Sequence, residues 1–204
     1  MFVSFLIKAV LISLMGVMSP GPITAVTVSK GTENPHVGIQ IAIGHFIVEF
    51  PLAILIAVGM GKFLEISWVR IAIGISGGLF LLKMGLGLLK SIPNPGIDHG
   101  VFSYTPLQAG IVLSIMNPYF LIWWATIGAV LITGAYQFGL IGVISFIMAH
   151  WICDLSWYIF LAAMSYKGGQ FFGQKLQQVL FAVCGVFLLF FSGKFIYDAL
   201  IIIL

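Results

Sequence analysis

Six apolar runs dominate the chain, from about residue 5 to 28, 38 to 60, 68 to 90, 107 to 133, 138 to 165 and 177 to 203. Each can cross a hydrocarbon core about 30 Å thick, which takes about 20 residues of helix. In lipid every backbone N–H and C=O must be satisfied within the protein, so such runs fold as helices or as strands of a closed barrel. No strand-period alternation is present, and the expected class is an all-α polytopic membrane protein with six transmembrane helices. Only 7% of the 204 residues are charged, against roughly a quarter in soluble domains. Lys8 precedes the first run as the n-region of a signal peptide would, but the run continues through Val17 into Ser19-Pro20-Gly21-Pro22 without a small-x-small cleavage site. It reads as a retained first helix.

The sparse charge also excludes partners. Nine Lys and Arg face six Asp and Glu, all scattered, so no clustered basic face exists for nucleic acid. Cys153 and Cys184 lie inside apolar runs, outside any CxxC or Cys/His tract, and read as small buried hydrophobes. There is no HExxH, no pair of cysteines for thiol exchange and no GxSxG elbow, so neither an enzyme nor a cofactor is expected.

The connector richest in Pro and Gly, with Pro93-Asn94-Pro95-Gly96, falls in the middle and invites a comparison of halves. Met18-Ser19-Pro20 matches Met116-Asn117-Pro118, 98 residues later. His45-Phe46-Ile47-Val48-Glu49 matches His150-Trp151-Ile152-Cys153-Asp154 after 105, and Gly78-Leu79-Phe80-Leu81-Leu82 matches Gly185-Val186-Phe187-Leu188-Leu189 after 107. The order is preserved, as a repeat requires. The chain therefore divides into residues 1–92, a loop 93–106, and residues 107–204. Three crossings per copy place the second copy upside down, the inverted-repeat architecture of secondary transporters, with the substrate near the midplane between Pro- or Gly-interrupted helices. Here those are the first and fourth.

Pro20 and Pro22 each remove a backbone donor while Gly21 tolerates unusual dihedrals, so the first helix should break or kink. A break frees carbonyls, and it starts a second half-helix whose N–H groups favour an anion such as a carboxylate. Asn117-Pro118 would do the same more mildly, with the Asn side chain as a polar contact. The alternative at both places is a proline kink satisfied by neighbouring helices. Glu49 stands eleven residues from either end of its run, roughly 16 Å from each surface, and Asp154 is similarly deep. A charge there costs about 2.5 to 3.5 kcal/mol, so both should face the interior and either pair with a cation or stay protonated through part of a cycle. His45 and His150 stand four residues before them, which puts each His/acid pair on one helix face. Three uses remain open: proton coupling, a divalent-metal site of His45, Glu49, His150 and Asp154, or hydrogen bonding between helices.

Lys83, seven residues before Lys90, could snorkel or pair with Glu49 or Asp154. Lys194 and Asp198, one turn apart, should satisfy each other. Trp123 and Trp124 fit an interface or the substrate path, and Trp68 and Trp157 fit packing or belt positions. Lys30, Lys90, Lys167 and Lys175 against Lys8, Lys62 and Arg70 lean toward both termini outside. Glycine-rich helix surfaces would suit a homodimer.

Taken together, Ser19-Pro20-Gly21-Pro22, the Gly38 to Gly44 run, Gly77-Gly78-Leu79-Phe80-Leu81-Leu82 with glycines at 85 and 87, Asn117-Pro118 and Asp154-Leu155-Ser156-Trp157 resemble the lysine exporter (LysE/RhtB) family over nearly the whole chain. The resemblance implies a small prokaryotic inner-membrane protein that exports amino acids and related solutes on the proton motive force. It also implies a wider superfamily that includes divalent-metal exporters. Two positions depart from the family pattern: Tyr119 stands where Lys usually follows Asn-Pro, and His45 where Asp usually follows the helix-two glycine. The expected protein is a proton antiporter for small amino acids. Ser19, Pro20, Gly21, Pro22, Asn117 and Pro118 would hold the solute, and Glu49, Asp154, His45 and His150 would couple it to protons; export of a divalent cation is the alternative.

Overall fold

A helix cannot run unbroken through two prolines two residues apart, and the chain bends where that rule requires. The structure, a computed structural model, describes residues 1–59, 61, 66–93, 103–172 and 174–203. Helix α1 (Phe2–Val17) ends before Met18, and α2 (Pro22–Gly31) restarts with Pro22 in its first turn, bent by 75°. Proline costs least there, because the first N–H groups of a helix have no partner within it. The fourth apolar run breaks likewise. Helix α5 (Pro106–Ile115) starts on a capping box of Thr105 and Gln108, and α6 (Pro118–Trp123) restarts at the second proline. A turn of π-helix (Trp124–Gly128), which the sequence did not announce, joins α6 to α7 (Ala129–Ala135).

The remaining long helices are α3 (Val37–Ala57), α4 (Ser67–Ser91), α8 (Gly139–Phe172) and α9 (Gln174–Ile203). Four stretches are long and apolar enough to cross a membrane: Val37–Ala57, Ser67–Ser91, Pro118–Gly168 and Gln177–Ile202; the bent α1/α2 pair makes a fifth. The 51-residue stretch would measure about 76 Å if straight, but it folds back. A 3-10 turn (Tyr136–Phe138) leads into Gly139 at φ +66°, a conformation that suits glycine, and the backbone of Gly142 then packs against the Ala135 carbonyl. Among the described residues the regular structure is therefore all helical, with no strand and with several apolar spans. Helix α8 runs on to Phe172, beyond the end of the apolar run near residue 165, and no proline interrupts it. The Pro95-Gly96 part of the central loop and Lys62 lie outside the described residues.

Helices α3 and α8 form the central pair. They run antiparallel: Gly38 packs on the Tyr158 backbone, Trp151 Nε1 donates to the Ala42 carbonyl at 3.5 Å, and Glu49 meets His150. Helix α1 follows α8, with Phe5 on Phe138 and Ser13 on His150, and α5 crosses α3 so closely that Gly44 and Gly110 lie against backbone carbonyls. Helices α4 and α9, far apart in sequence, pack antiparallel against each other, Gly74 on Ala199 and Gly85 on Gly185. The α4 glycines thus serve packing inside the chain. Large apolar side chains such as Leu11, Val130, Leu140, Ile141 and Phe190 point outward, while Ser13, His45, Glu49, Ser114, His150 and Asp154 are buried. That polarity suits a lipid solvent.

Candidate functional site

Each His/acid pair sits one turn apart on its helix, and the α3/α8 crossing turns both pairs inward. All four side chains are buried, Glu49 completely. His45 Nε2 lies 3.4 Å from Glu49 Oε1 and 3.7 Å from Asp154 Oδ1. His150 Nε2 lies 3.1 Å from Glu49 Oε1 and 3.5 Å from Asp154 Oδ2. The four residues form one centre, in which each histidine reaches the acid of its own helix and that of the other. Among the described residues, Glu49 Oε2 and Asp154 Oδ2 have no hydrogen-bond partner. Buried carboxylate oxygens without donors are costly unless a positive charge or a proton answers them. One ligand atom each from His45, Glu49 and Asp154 lie within 4.8 Å of one another, a spacing that a proton network or a cation could use.

Aromatic rings line one side of the centre. Trp124, fully buried, donates its indole N–H to Glu49 Oε1 at 3.3 Å. Trp123 and Trp124 pack on the His150 ring at centroid distances of 4.8 and 5.0 Å, and Phe120 packs on His45 at 4.9 Å. These side chains come from α6 and the π-turn, so the segment after the second helix break encloses the centre. Of the two places the sequence allowed for Trp123 and Trp124, the structure puts them beside the histidines. Trp68 is exposed at the start of α4, and Trp157 stacks on Phe160.

A cavity of about 80 Å³ opens beside the centre, several times the room one water molecule needs. Ser19, Pro20, Gly21, Pro22, Asn117 and Tyr119 line it from the two breaks, and His45, His150 and Asp154 line it from the centre. Pro118 instead packs against Gly77 of α4. The two breaks differ chemically. Asn117 Oδ1 accepts from the Tyr119 N–H at 3.1 Å, so this side chain caps its own helix. No side chain caps α2, whose Gly21 to Thr24 start borders the cavity. Ser19 Oγ and Tyr119 Oη lie 3.1 Å apart and bridge the breaks. Tyr119 thus makes a neutral hydrogen bond at the position where the resemblance implies a Lys in most such chains.

Lys83 is exposed on α4, and no ion pair joins it to Glu49 or Asp154 among the described residues. Lys194 and Asp198 pair at 2.5 Å. Ser13 and Ser114 bond the histidines from behind; their one signal in the sequence is a hydroxyl in an otherwise apolar run.

The chain matches the family of LysE type translocators over residues 14–199. It belongs to that family. The LysE match covers both breaks, the four-residue centre, α4 and most of α9, and it makes the chain a multi-pass membrane transport protein. No curated protein and no solved structure matches it.

Proposed function

We propose that this LysE-type protein is a proton antiporter that exports small amino acids or amino-acid-like solutes across a prokaryotic inner membrane. It would cross six times as two inverted three-helix repeats, with both termini outside. One observation carries the reading: a single cavity touches both helix breaks and the His45, His150 and Asp154 side chains. The uncapped start of α2 offers N–H groups and a partial positive charge to a carboxylate. Glu49 and Asp154 offer negative charge to an ammonium group or to the proton that replaces it. An amino acid carries both groups, and the cavity offers both complements. Exchange of solute for proton at one centre is the minimal device for antiport, because the two cannot neutralise the same carboxylates at once.

The test is counterflow in proteoliposomes under an imposed pH gradient, with a panel of amino acids. Flux that collapses with the gradient is the expected result, and flux indifferent to it would overturn the antiport assignment. A second reading is favoured by the His45, Glu49 and Asp154 atoms within 4.8 Å, namely a divalent cation as the cargo. Metal flux without amino-acid flux in the same vesicles would replace the first reading with the second.

A further inference from the structure

The two imidazoles are held from behind by the broken helices, each by the one from the other half of the chain. His45 Nδ1 lies 2.6 Å from Ser114 Oγ of α5, and His150 Nδ1 lies 2.7 Å from Ser13 Oγ of α1. A hydroxyl carries one hydrogen. In Ser114 that hydrogen goes to the Gly110 carbonyl, one turn back along α5. The Ser114 oxygen is then left to accept from the ring, so His45 Nδ1 must carry the hydrogen of the neutral imidazole. Ser13 shows no such second bond among the described residues, and the two histidines are not equivalent in this respect.

We infer that Ser114 is a positioning residue that locks neutral His45 in its Nδ1–H form and aims the bare electron pair of Nε2 into the centre. There Nε2 faces Glu49 Oε1 at 3.4 Å and Asp154 Oδ1 at 3.7 Å, both of which are acceptors when ionised. Electron pairs that meet in a dry pocket repel, and low polarisability around them makes the repulsion costly. An electrophile placed between them turns the repulsion into bonding. The opposite tautomer, with hydrogen on Nε2, would fill that place with the ring's own hydrogen and satisfy the carboxylates without cargo. The Ser114 bond therefore keeps a receptive position open for a proton or a divalent cation. Ser114 also stands two residues before the break at Met116 and Asn117, so the same bond ties the ring to the helix that bends. The role of this lock in a cycle rests on the transport reading; the tautomer itself does not.

The experiment is nitrogen NMR on protein labelled with 15N-histidine in lipid nanodiscs, with His45 assigned through His45→Gln, at a pH where the ring is neutral. The expected result is a protonated Nδ1 and a bare Nε2 in the wild type and in Ser114→Thr, with the reversed tautomer appearing in Ser114→Ala. Flux in vesicles should fall about tenfold in Ser114→Ala, as for other partners that orient a binding histidine, and return in Ser114→Thr. A wild-type His45 with its hydrogen on Nε2 would overturn the inference, as would a Ser114→Ala spectrum identical to wild type. Should Ser114→Ala not fold, the wild-type and Ser114→Thr spectra decide. Added Zn2+ separates the two electrophiles. A shifted Nε2 resonance supports the open electron pair with a cation as occupant, and an unmoved bare Nε2 supports it with a proton. Because the spectra need neither solute nor gradient, the inference falls separately from the antiport assignment.

Discussion

His150 Nε2 stands 3.1 Å from Glu49 Oε1, closer than Glu49 stands to the histidine of its own helix at 3.4 Å. The centre is therefore an inter-helix object. A relative movement of α3 and α8 changes the surroundings of both acids together, which is what a carrier needs if loading and release occur at the same residues.

Replacing Glu49 by Gln should abolish coupled flux while leaving the protein folded. The amide oxygen still accepts from Trp124 Nε1, now 3.3 Å from the carboxylate, so the packing partner is kept and only the charge is lost. Asp154→Asn should do the same. Gradient-driven flux in proteoliposomes is expected to fall to the level of empty vesicles in either, with thermal stability in detergent near wild type. Full flux in the double amide would remove both acids from the mechanism.

Tyr119→Phe should weaken solute binding more than turnover. The change deletes the 3.1 Å contact between Ser19 and Tyr119 that spans the two breaks beside the cavity. One neutral hydrogen bond contributes about 0.5 to 1.5 kcal/mol, so the half-saturating concentration should rise about 2- to 10-fold. Concentration series of counterflow measure this directly.

Lys83→Gln should leave flux within about twofold of wild type, because the side chain is exposed on α4 and away from the acids. A salt-bridge role at Glu49 would instead show as a large loss. The same vesicle assay distinguishes the two.

Gly44→Ala should destabilise the protein, since a Cβ there would strike the Leu107 carbonyl, a backbone atom that cannot swing aside. Overpacking of this kind costs about 1 to 3 kcal/mol. Gly193→Ala meets nothing within 4 Å and should stabilise α9 by up to about 1 kcal/mol. Unfolding midpoints in one detergent would be compared, and an undiminished Gly44→Ala midpoint would mean that α3 and α5 are not so close.

The sequence by itself determined the helical class, the membrane and the two breaks, because each follows from local physics. Twenty apolar residues suit a bilayer wherever they sit, and the close pair Pro20 and Pro22 and the Asn117-Pro118 step favour a helix restart, whereas the lone Pro51 is absorbed inside α3. The spacing of His45 to Glu49 and of His150 to Asp154 also sufficed to put each pair on one face, since the helix period is fixed. What lies between helices was decided by tertiary packing alone. No periodicity reveals that Ser114 reaches His45, 69 residues away, or that Ser13 reaches His150 across 137. Nor does any local rule send the Trp124 indole to Glu49 instead of to the membrane surface, because an amphipathic ring fits both places equally well. Lys83 shows the same division: its depth could be counted along the run, but which way it points depends on how α4 rotates to lay its glycines against α9.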